Sequence, residues 1–390
     1  MSLELRHQLR HEEQVGYLLN ILAVGLPEHF VALDTTRLTG VYFAVLGLDI
    51  LGALDKVDKK RVVDYVLAMQ ISADKTGLLP GHCGFIGSSF LGQAFGCYEC
   101  GESGRESGDL LSKMSFCSIS AEVEVEVKAT PAAAAARYMQ GHLAMAYTSL
   151  VVLQTLDKDK IHNGCVDKKA LVDGMKLLQQ PDGSFCATLE GNECDMRFLY
   201  CACAVSAILG DWSAVNVEAA VSYVKSCITY EGGISLVPGA EAHGGSCYTA
   251  VASLVLMGRL DACLSERGKE ALTCWCYSRV HDEGGYNGRT NKETDSCYSF
   301  WVGATLSLLG AFDGSDHGPT LDFLLDRCQV KKPDRGGFCK TPEHSPDILH
   351  TFYTLCWLSM SCRGKELGLR EIDNRFACCK DRIPESLALA

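Results

Sequence analysis

The chain has 390 residues, 47% of them hydrophobic, and its 36 Lys and Arg against 48 Asp and Glu leave a net charge of −12. That acidity argues against a broad nucleic-acid footprint and leaves room only for a local basic pocket, while no segment approaches the roughly 18 apolar residues of a membrane span. The opening MSLELRHQLRHEEQ lacks the apolar core of a secretory signal, so a soluble, cytoplasmic protein is expected, and most of the 21 cysteines, set in apolar runs such as CACAVSAIL (201–209), read as reduced thiols.

In chain order, the first strongly apolar helix is RLTGVYFAVLGLDIL (37–51), followed by the amphipathic KKRVVDYVLAMQ (59–70) and a CGF turn ending at Phe85. From about 92 to 137 the rhythm breaks. GCYECGESGRESGD, EVEVEVK and PAAAAAR share no period and read as a loop insertion, and Cys97 and Cys100 lack the second CxxC that a zinc finger needs. Beyond it the apolar helices GHLAMAYTSLVVL (141–153), MRFLYCACAVSAIL (196–209), SCYTAVASLVLM (246–257), SCYSFWVGATLSLL (296–309) and ILHTFYTLCWLSM (348–360) alternate with helices that keep a charged face: KKALVDGMKLLQQ (168–180), VEAAVSYVKSCI (217–228), KEALTCWCYSRV (269–280) and PTLDFLLDRCQ (319–329).

Turns that join glycine to an aromatic or apolar residue recur at Phe85, Phe185, Ile234, Tyr286 and Phe338, at intervals of 100, 49, 52 and 52 residues, a period of about fifty. The first interval is expected to hold two units, with a missing turn near 135. A helix apolar all round must be buried, whereas one with a polar face can border solvent. The expected fold is therefore all-α: an α–α barrel (an α6/α6 toroid) of about six helical hairpins, inner ring within outer ring, forming a single domain over 1–390. An open solenoid has the same periodicity and remains the alternative.

Measured from each turn, Arg197, Ser246, Tyr298 and His350 all fall twelve positions downstream, at the openings of inner helices. His243 and Asp295 fall nine downstream and Cys297 eleven, which brings Asp295, Cys297 and His350 to neighbouring helix starts. Carboxylate, thiolate and imidazole are zinc ligands, and three of them leave a fourth position open, as in catalytic sites. Taken singly, Cys297 reads as core before ligand and His350 as a hydrogen-bonded helix residue; it is the matched phase that makes the trio a metal-site candidate. Arg289, Lys292, His243 and Tyr298 stand at the same mouth and supply donors for an anion such as a departing diphosphate. Two cations at a helix N-terminus run against the macrodipole, which favours that reading over a merely solvated helix start.

The motifs DTTRLT (34–39), DGSF with NECDMRFLYCA (192–202), EAHGGS (241–246), GYNGRTNKETDSCYSFWVGATL (285–306) and GGFCK with SPDILH (336–350) resemble the β subunits of the CaaX protein prenyltransferases, the type I geranylgeranyl branch above all. The resemblance covers nearly the whole chain outside the insertion. It implies an α–α barrel, one zinc held by Asp295, Cys297 and His350, and an α subunit as heterodimer partner. It also implies geranylgeranyl diphosphate as lipid donor and CaaX-terminated proteins such as small GTPases as acceptors. By the same resemblance His243, Arg289, Lys292 and Tyr298 bind diphosphate, and His142, Glu193 and Arg197 hold the peptide carboxylate. Tyr147, Tyr200, Trp301 and Tyr353 wall the lipid tunnel. Thr39, Leu349 and Lys340 stand where farnesyltransferases carry a tunnel-shortening tryptophan, a tyrosine and a magnesium-linked aspartate, so geranylgeranyl is expected and added magnesium is not. Thr39 is expected at the tunnel's far end. Farnesyltransferase and Rab geranylgeranyltransferase β subunits are the near alternatives. A triterpene cyclase would need an acidic DxDD-like motif that is absent here, and a non-catalytic helical scaffold would not account for the shared phase of Asp295, Cys297 and His350.

Overall fold

The apolar helices form a ring. In the computed structural model, which describes residues 7–25, 35–72, 80–88, 140–191, 193–332 and 335–384, six outer and six inner helices alternate along the chain. In order they are α1 (His11–Val24), α2 (Arg37–Ile50), α3 (Lys59–Ala68), α4 (Leu143–Leu156), α5 (Lys168–Lys176), α6 (Met196–Leu209), α7 (Val217–Ser226), α8 (Gly244–Leu256), α9 (Glu266–Tyr277), α10 (Ser296–Leu308), α11 and α12 (Ile348–Met360). Helix α11 begins as Gly318–Leu321 and continues π-helically over Asp322–Cys328. The even-numbered helices bury nearly every residue, as in α6 and α12, whereas the odd-numbered ones bury one stripe, as with Val62, Val63, Tyr65, Val66 and Leu67 of α3. None of the described helices is long and apolar enough to cross a membrane.

Each inner helix packs on the next, in the order α2, α4, α6, α8, α10, α12, and α12 packs back on α2. The ring is therefore closed, which decides between barrel and solenoid. Between outer and inner helix the chain turns through short antiparallel pairings, such as Phe338–Cys339 with Pro346–Asp347. The turn glycines let this path lie flat against the next outer helix: at Gly284, with φ +90°, a Cβ would strike the carbonyl oxygen of Pro319. At the seam the partner is α1. A Cβ at Gly336 would strike the carbonyl oxygen of Glu13, Gly337 N–H donates to Gln14 Oε1 at 2.8 Å across 323 residues, and His7 pairs with Asp322.

The spacing around Phe85 is corrected by the structure. His142 N–H donates to Phe85 O and Gly141 N–H to His82 O, both at 2.8 Å, so the chain after the stretch 89–139 resumes beside the point where it departs. Among the described residues the interval of 100 holds one helical unit, and the bonds from Gly141 and His142 back to His82 and Phe85 correct the expectation of two units with a turn lost near 135. The insertion at about 92–137, with Cys97 and Cys100, lies outside the described residues. Among the described cysteines, sixteen are free thiols and one pair, Cys186 and Cys194, is bonded across the hairpin before α6.

The end of the barrel away from the inner-helix starts is covered by the segment 369–383. Its backbone accepts from two phenols inside the ring, Tyr147 Oη to Phe376 O at 3.0 Å and Tyr200 Oη to Arg375 O at 2.9 Å. Asp49, on the last turn of α2 and only 1% exposed, clamps the segment by ion pairs to Arg370 and to Arg382, the latter at 2.8 Å. A buried carboxylate shared by two half-buried guanidiniums is costly to break from one side, because it strands charge. Asp49→Asn is expected to lower stability by about 3 kcal/mol, read as an earlier midpoint in urea unfolding.

Candidate functional site

The first backbone N–H groups of a helix have no partner within it, and a side chain from the residue before the helix commonly supplies one. Five of the six inner helices meet this need with a histidine or an aspartate. His142 Nδ1 accepts from Ala144 N–H at 3.2 Å, Asp195 from Arg197 at 2.9 Å, His243 Nδ1 from Gly245 at 3.0 Å, Asp295 from Cys297 at 3.0 Å and Asp347 from His350 at 3.0 Å. These caps form a collar of titratable groups around one mouth of the barrel, and the first helical turns add Arg197, Cys297, Tyr298 and His350.

Asp295, Cys297 and His350 converge there, one ligand atom from each lying within 4.8 Å of the others. His350 Nε2 is 3.2 Å from Asp295 Oδ1, and its Nδ1 is 2.5 Å from Asp347 Oδ2. Asp347 therefore fixes the ring from behind and leaves Nε2 facing the triad, the carboxylate–histidine arrangement that orients metal ligands. Zinc bond lengths of 2.0–2.3 Å place ligand atoms about 3.5 Å apart, so this donor set suits zinc with small adjustments. Burial opposes a charge on His350, but hydrogen bonds to Asp295 and Asp347 outweigh it and push its pKa to about 9. Burial and the neighbouring Asp295 carboxylate push the Cys297 thiol well above its ordinary value. A thiol held up by a carboxylate is a group that a divalent cation would turn into a thiolate. Lys340, about half exposed, places Nζ 3.9 Å from Asp295 Oδ2.

One helix along, His243 and Tyr298 meet at 2.9 Å between Nε2 and Oη. Because His243 Nδ1 accepts a backbone N–H, the neutral ring carries its proton on Nε2 and donates it to the Tyr298 oxygen, leaving the phenol O–H free to donate into the mouth. Burial and then Arg289 lower the His243 pKa, which favours that neutral form. Arg289 is exposed and ion-paired with Glu241 at 3.5 Å. Lys292 is exposed on the same loop, its backbone N–H bonded to Arg289 O at 3.3 Å, and no side-chain bond joins it to the others among the described residues.

Across the mouth, Arg197 is held by Asp195, at 2.6 Å from Nη2, and by Glu193, beside His142. Its Nη1 makes no hydrogen bond among the described residues, the bonds to Asp195 and Glu193 using Nε and Nη2, and so remains a free donor at the mouth. Burial, more than Arg197, lowers the His142 pKa, with Glu193 opposing.

Five positions past each of these five caps comes an aromatic residue: Tyr147, Tyr200, Tyr248, Phe300 and Phe352. With Tyr42 and Phe43 of α2, Trp301 and Tyr353 they form a closed belt inside the ring, with successive centroids such as Tyr147–Tyr200 at 5.3 Å, Tyr248–Trp301 at 5.2 Å, Trp301–Tyr353 at 4.1 Å and Phe43–Tyr353 at 5.6 Å. At the helical rise the belt lies about 7 Å below the collar. Thr39 sits at the third position of α2, its hydroxyl 3.7 Å from Met145 Sδ. It lies close to the level of the collar, and α2 stands opposite α8 in the ring, so any path from His243 to Thr39 crosses the barrel's width. Leu349 is exposed beside His350. The phase count in the sequence passed over Asp195, Asp347 and the belt residues Tyr42, Phe43, Tyr248, Phe300 and Phe352. Asp347 falls nine positions after Phe338, the spacing of His243 and Asp295 from their own turns, and could have been found by it.

The chain matches the family model described as the prenyltransferase alpha-alpha toroid domain over residues 9–378. It is 36% identical over 336 residues to the geranylgeranyl transferase type-1 subunit beta of Arabidopsis thaliana, covering 84% of this chain and 79% of that one. To the protein of the same description from Dictyostelium discoideum it is 35% identical over 354 residues, 90% of each chain. Its structure superposes on Candida albicans protein geranylgeranyltransferase-I complexed with GGPP with a TM-score of 0.75 at 18% identity, covering 96% of this chain and 97% of that one, a likeness of fold.

The two histidine caps lead to an expected pH response. Protonation at Nδ1 would remove the cap, and both folded pKa values lie below the unfolded value near 6.5. Their contribution to stability is therefore complete above that pH and falls away as the pH drops through the unfolded and then the folded value. Ring NMR signals of His142 and His243 should titrate below free histidine, and His142→Asn, whose amide oxygen can also cap, should flatten the loss of melting temperature between pH 7 and 5.

Proposed function

The chain belongs to the prenyltransferase alpha-alpha toroid family, and from that premise we propose that it is the catalytic β subunit of a type I protein geranylgeranyltransferase. In this reading it works as a heterodimer with an α subunit and transfers geranylgeranyl from its diphosphate to the cysteine thiol of C-terminal CaaX sequences. The observation that carries the reading is the convergence of Asp295, Cys297 and His350 on one mouth beside the His243–Tyr298 pair. A scaffold has no use for a carboxylate, a thiol and an imidazole aimed at one point.

The acceptor thiol and the C1 carbon of the lipid diphosphate have to meet between these two groups. Zinc, when held by Asp295, Cys297 and His350, supplies the charge that makes a substrate thiol a thiolate at neutral pH. The new C–S bond forms as the C1–O bond breaks, and the electron pair leaves with the diphosphate. Tyr298 O–H, polarised by His243 and through it by the Gly245 N–H, is aimed where that charge grows, and Arg289 and Lys292 stand above it on the loop. Tyr298 remains protonated, since burial above all, and then the Asp295 charge, raise its pKa. The Lys340 ammonium, 3.9 Å from Asp295 Oδ2, would supply positive charge to the diphosphate in place of a magnesium ion. Arg197 Nη1 and the neutral His142 offer donors for the peptide carboxylate, and the aromatic belt offers the lipid an apolar wall.

The test is co-expression with an α subunit, followed by transfer assays with both prenyl diphosphates and peptides ending in Leu or Ser. Preference for the farnesyl donor would favour a farnesyltransferase instead, and absence of transfer with either donor would sink the reading. Cys297→Ala and His350→Ala are expected to lose zinc and thioether formation together, measured by metal analysis of the purified heterodimer. Full zinc occupancy with normal turnover in both would reject the triad. Thr39→Trp should shift preference from geranylgeranyl toward farnesyl diphosphate by about tenfold, because filling that space against a fourth isoprene unit costs about 1–3 kcal/mol. Lipid competition assays give the ratio, and an unchanged ratio in a zinc-loaded variant would remove Thr39 from the lipid path.

A further inference from the structure

Arg279 follows the last turn of α9, on the outer side of the loop that bears Arg289 and Lys292, and its residue is only 6% exposed. A buried guanidinium ordinarily finds a carboxylate. This one has none within 4 Å among the described residues. Its donors go instead to neutral groups, Nη1 to Thr290 Oγ1 at 3.0 Å and Nη2 to Ser278 Oγ at 3.1 Å, while Nε is unpaired and the plane lies 4.8 Å from the Trp275 ring. Burial pulls its pKa down against the more distant attraction of Glu231 and Glu241, but an arginine stays charged.

The same residue holds the loop at two points. Its carbonyl accepts from Asn287 N–H at 2.9 Å, where the loop begins, and its guanidinium reaches Thr290, between Arg289 and Lys292. The loop turns tightly there, Asn291 adopting φ +59°, and returns through the pairing of Asn287 with Thr294 to Asp295. Thr290 is exposed, and this bond restrains the tip together with the Arg289–Glu241 ion pair and the bond from Lys292 N–H to Arg289 O. Arg289 already has Glu241, so Arg279 adds to the loop a cation that no carboxylate within 4 Å answers among the described residues, a charge that becomes useful when an anion binds.

We propose that Arg279 is a positioning residue for the diphosphate: it holds the Arg289–Lys292 loop over the mouth through Thr290 and adds an unpaired positive charge behind it. The inference rests on the prenyl-transfer reading above. Its role is to make the loop's cations ready before the lipid arrives, so its loss should act on diphosphate affinity more than on the peptide or the zinc.

The experiment measures Kd for geranylgeranyl diphosphate and for geranylgeranyl monophosphate, KM for peptide, zinc content and melting temperature in the wild-type heterodimer and three variants. Arg279→Gln, which removes the charge, should weaken diphosphate binding about tenfold, and Thr290→Val, which keeps the charge but loses the grip, about threefold. Arg279→Lys should fall between them. The monophosphate should lose less than the diphosphate, and peptide KM and zinc content should stay within about twofold of wild type. Unchanged diphosphate affinity in Arg279→Gln and Thr290→Val, with the wild type active, would overturn this inference alone. Loss of zinc, peptide affinity and melting temperature in step with lipid affinity would show that Arg279 only supports the fold and would overturn it too. A wild-type heterodimer that binds neither prenyl phosphate would remove the functional reading and this inference with it.

Discussion

An unpaired N–H at the start of a buried helix has nowhere to turn except to a neighbouring side chain, and in this protein that requirement builds the site. Five of the six inner helices begin beneath an extended residue whose side chain folds back onto the backbone, and each time that residue is histidine or aspartate. The cap fixes the side chain's rotamer, the tautomer of each capping histidine and the height of the group above the ring. Asp347 spends one oxygen on the cap and points the other at His350, whereas Asp295 turns the same oxygen, Oδ1, to both its cap and His350 and leaves Oδ2 toward Lys340. A local rule of helix termination thus sets the geometry in which a metal and an anion could be held, without any loop having to find that geometry by itself.

Much of this was open to reading in the chain. The alternation of helices apolar all round with helices apolar on one side states which ring each belongs to, because burial on all sides has no other solution. The fifty-residue period places Asp295, Cys297 and His350 at one end before any coordinates are known. What stayed hidden depended on contacts between distant residues. Nothing in the residues near 135 says that Phe85 and His142 are bonded neighbours, so the long first interval looks like two units when its described residues hold one. The closure of α12 on α2 is likewise a contact rather than a pattern, since a solenoid has the same repeats. Arg279 reads from sequence as one more cation on an amphipathic helix, and only its burial without a carboxylate sets it apart.

The distribution of charge follows the same logic. A chain of net charge −12 gathers Arg197, Arg289, Lys292, Lys340 and the neutral donors of His243 and Tyr298 around a single opening. Acidic partners moderate some of them: Glu241 takes Arg289, and Asp195 with Glu193 takes Arg197. The cations nearest the triad thereby remain soluble and ordered while keeping donors free for an incoming group. The belt below them has the opposite character. Its phenols satisfy one another and the segment that covers the barrel's other end, as in Tyr42 with Tyr147 at 2.9 Å and Tyr147 with Tyr200 at 3.0 Å, so polar atoms are present without breaking the apolar wall.

The seam has a consequence for how the molecule is made. Helix α1 is made well before the groups that satisfy it: the side chain of Gln329 and the backbone at Gly336 and Gly337 are synthesised more than three hundred residues later, as the 319 positions between Arg10 and Gln329 show. At about 5–20 residues per second the wait is roughly a quarter of a minute or longer. Throughout it α1 can pack on α2, but the Gln14 side chain and the face of α2 that meets α12 have no final partner, and the last repeat cannot be completed without them. Sequence-distant closure of this kind makes late folding steps slow and intermediates prone to associate with one another. Such a nascent chain has reason to depend on a chaperone until its final hairpin emerges.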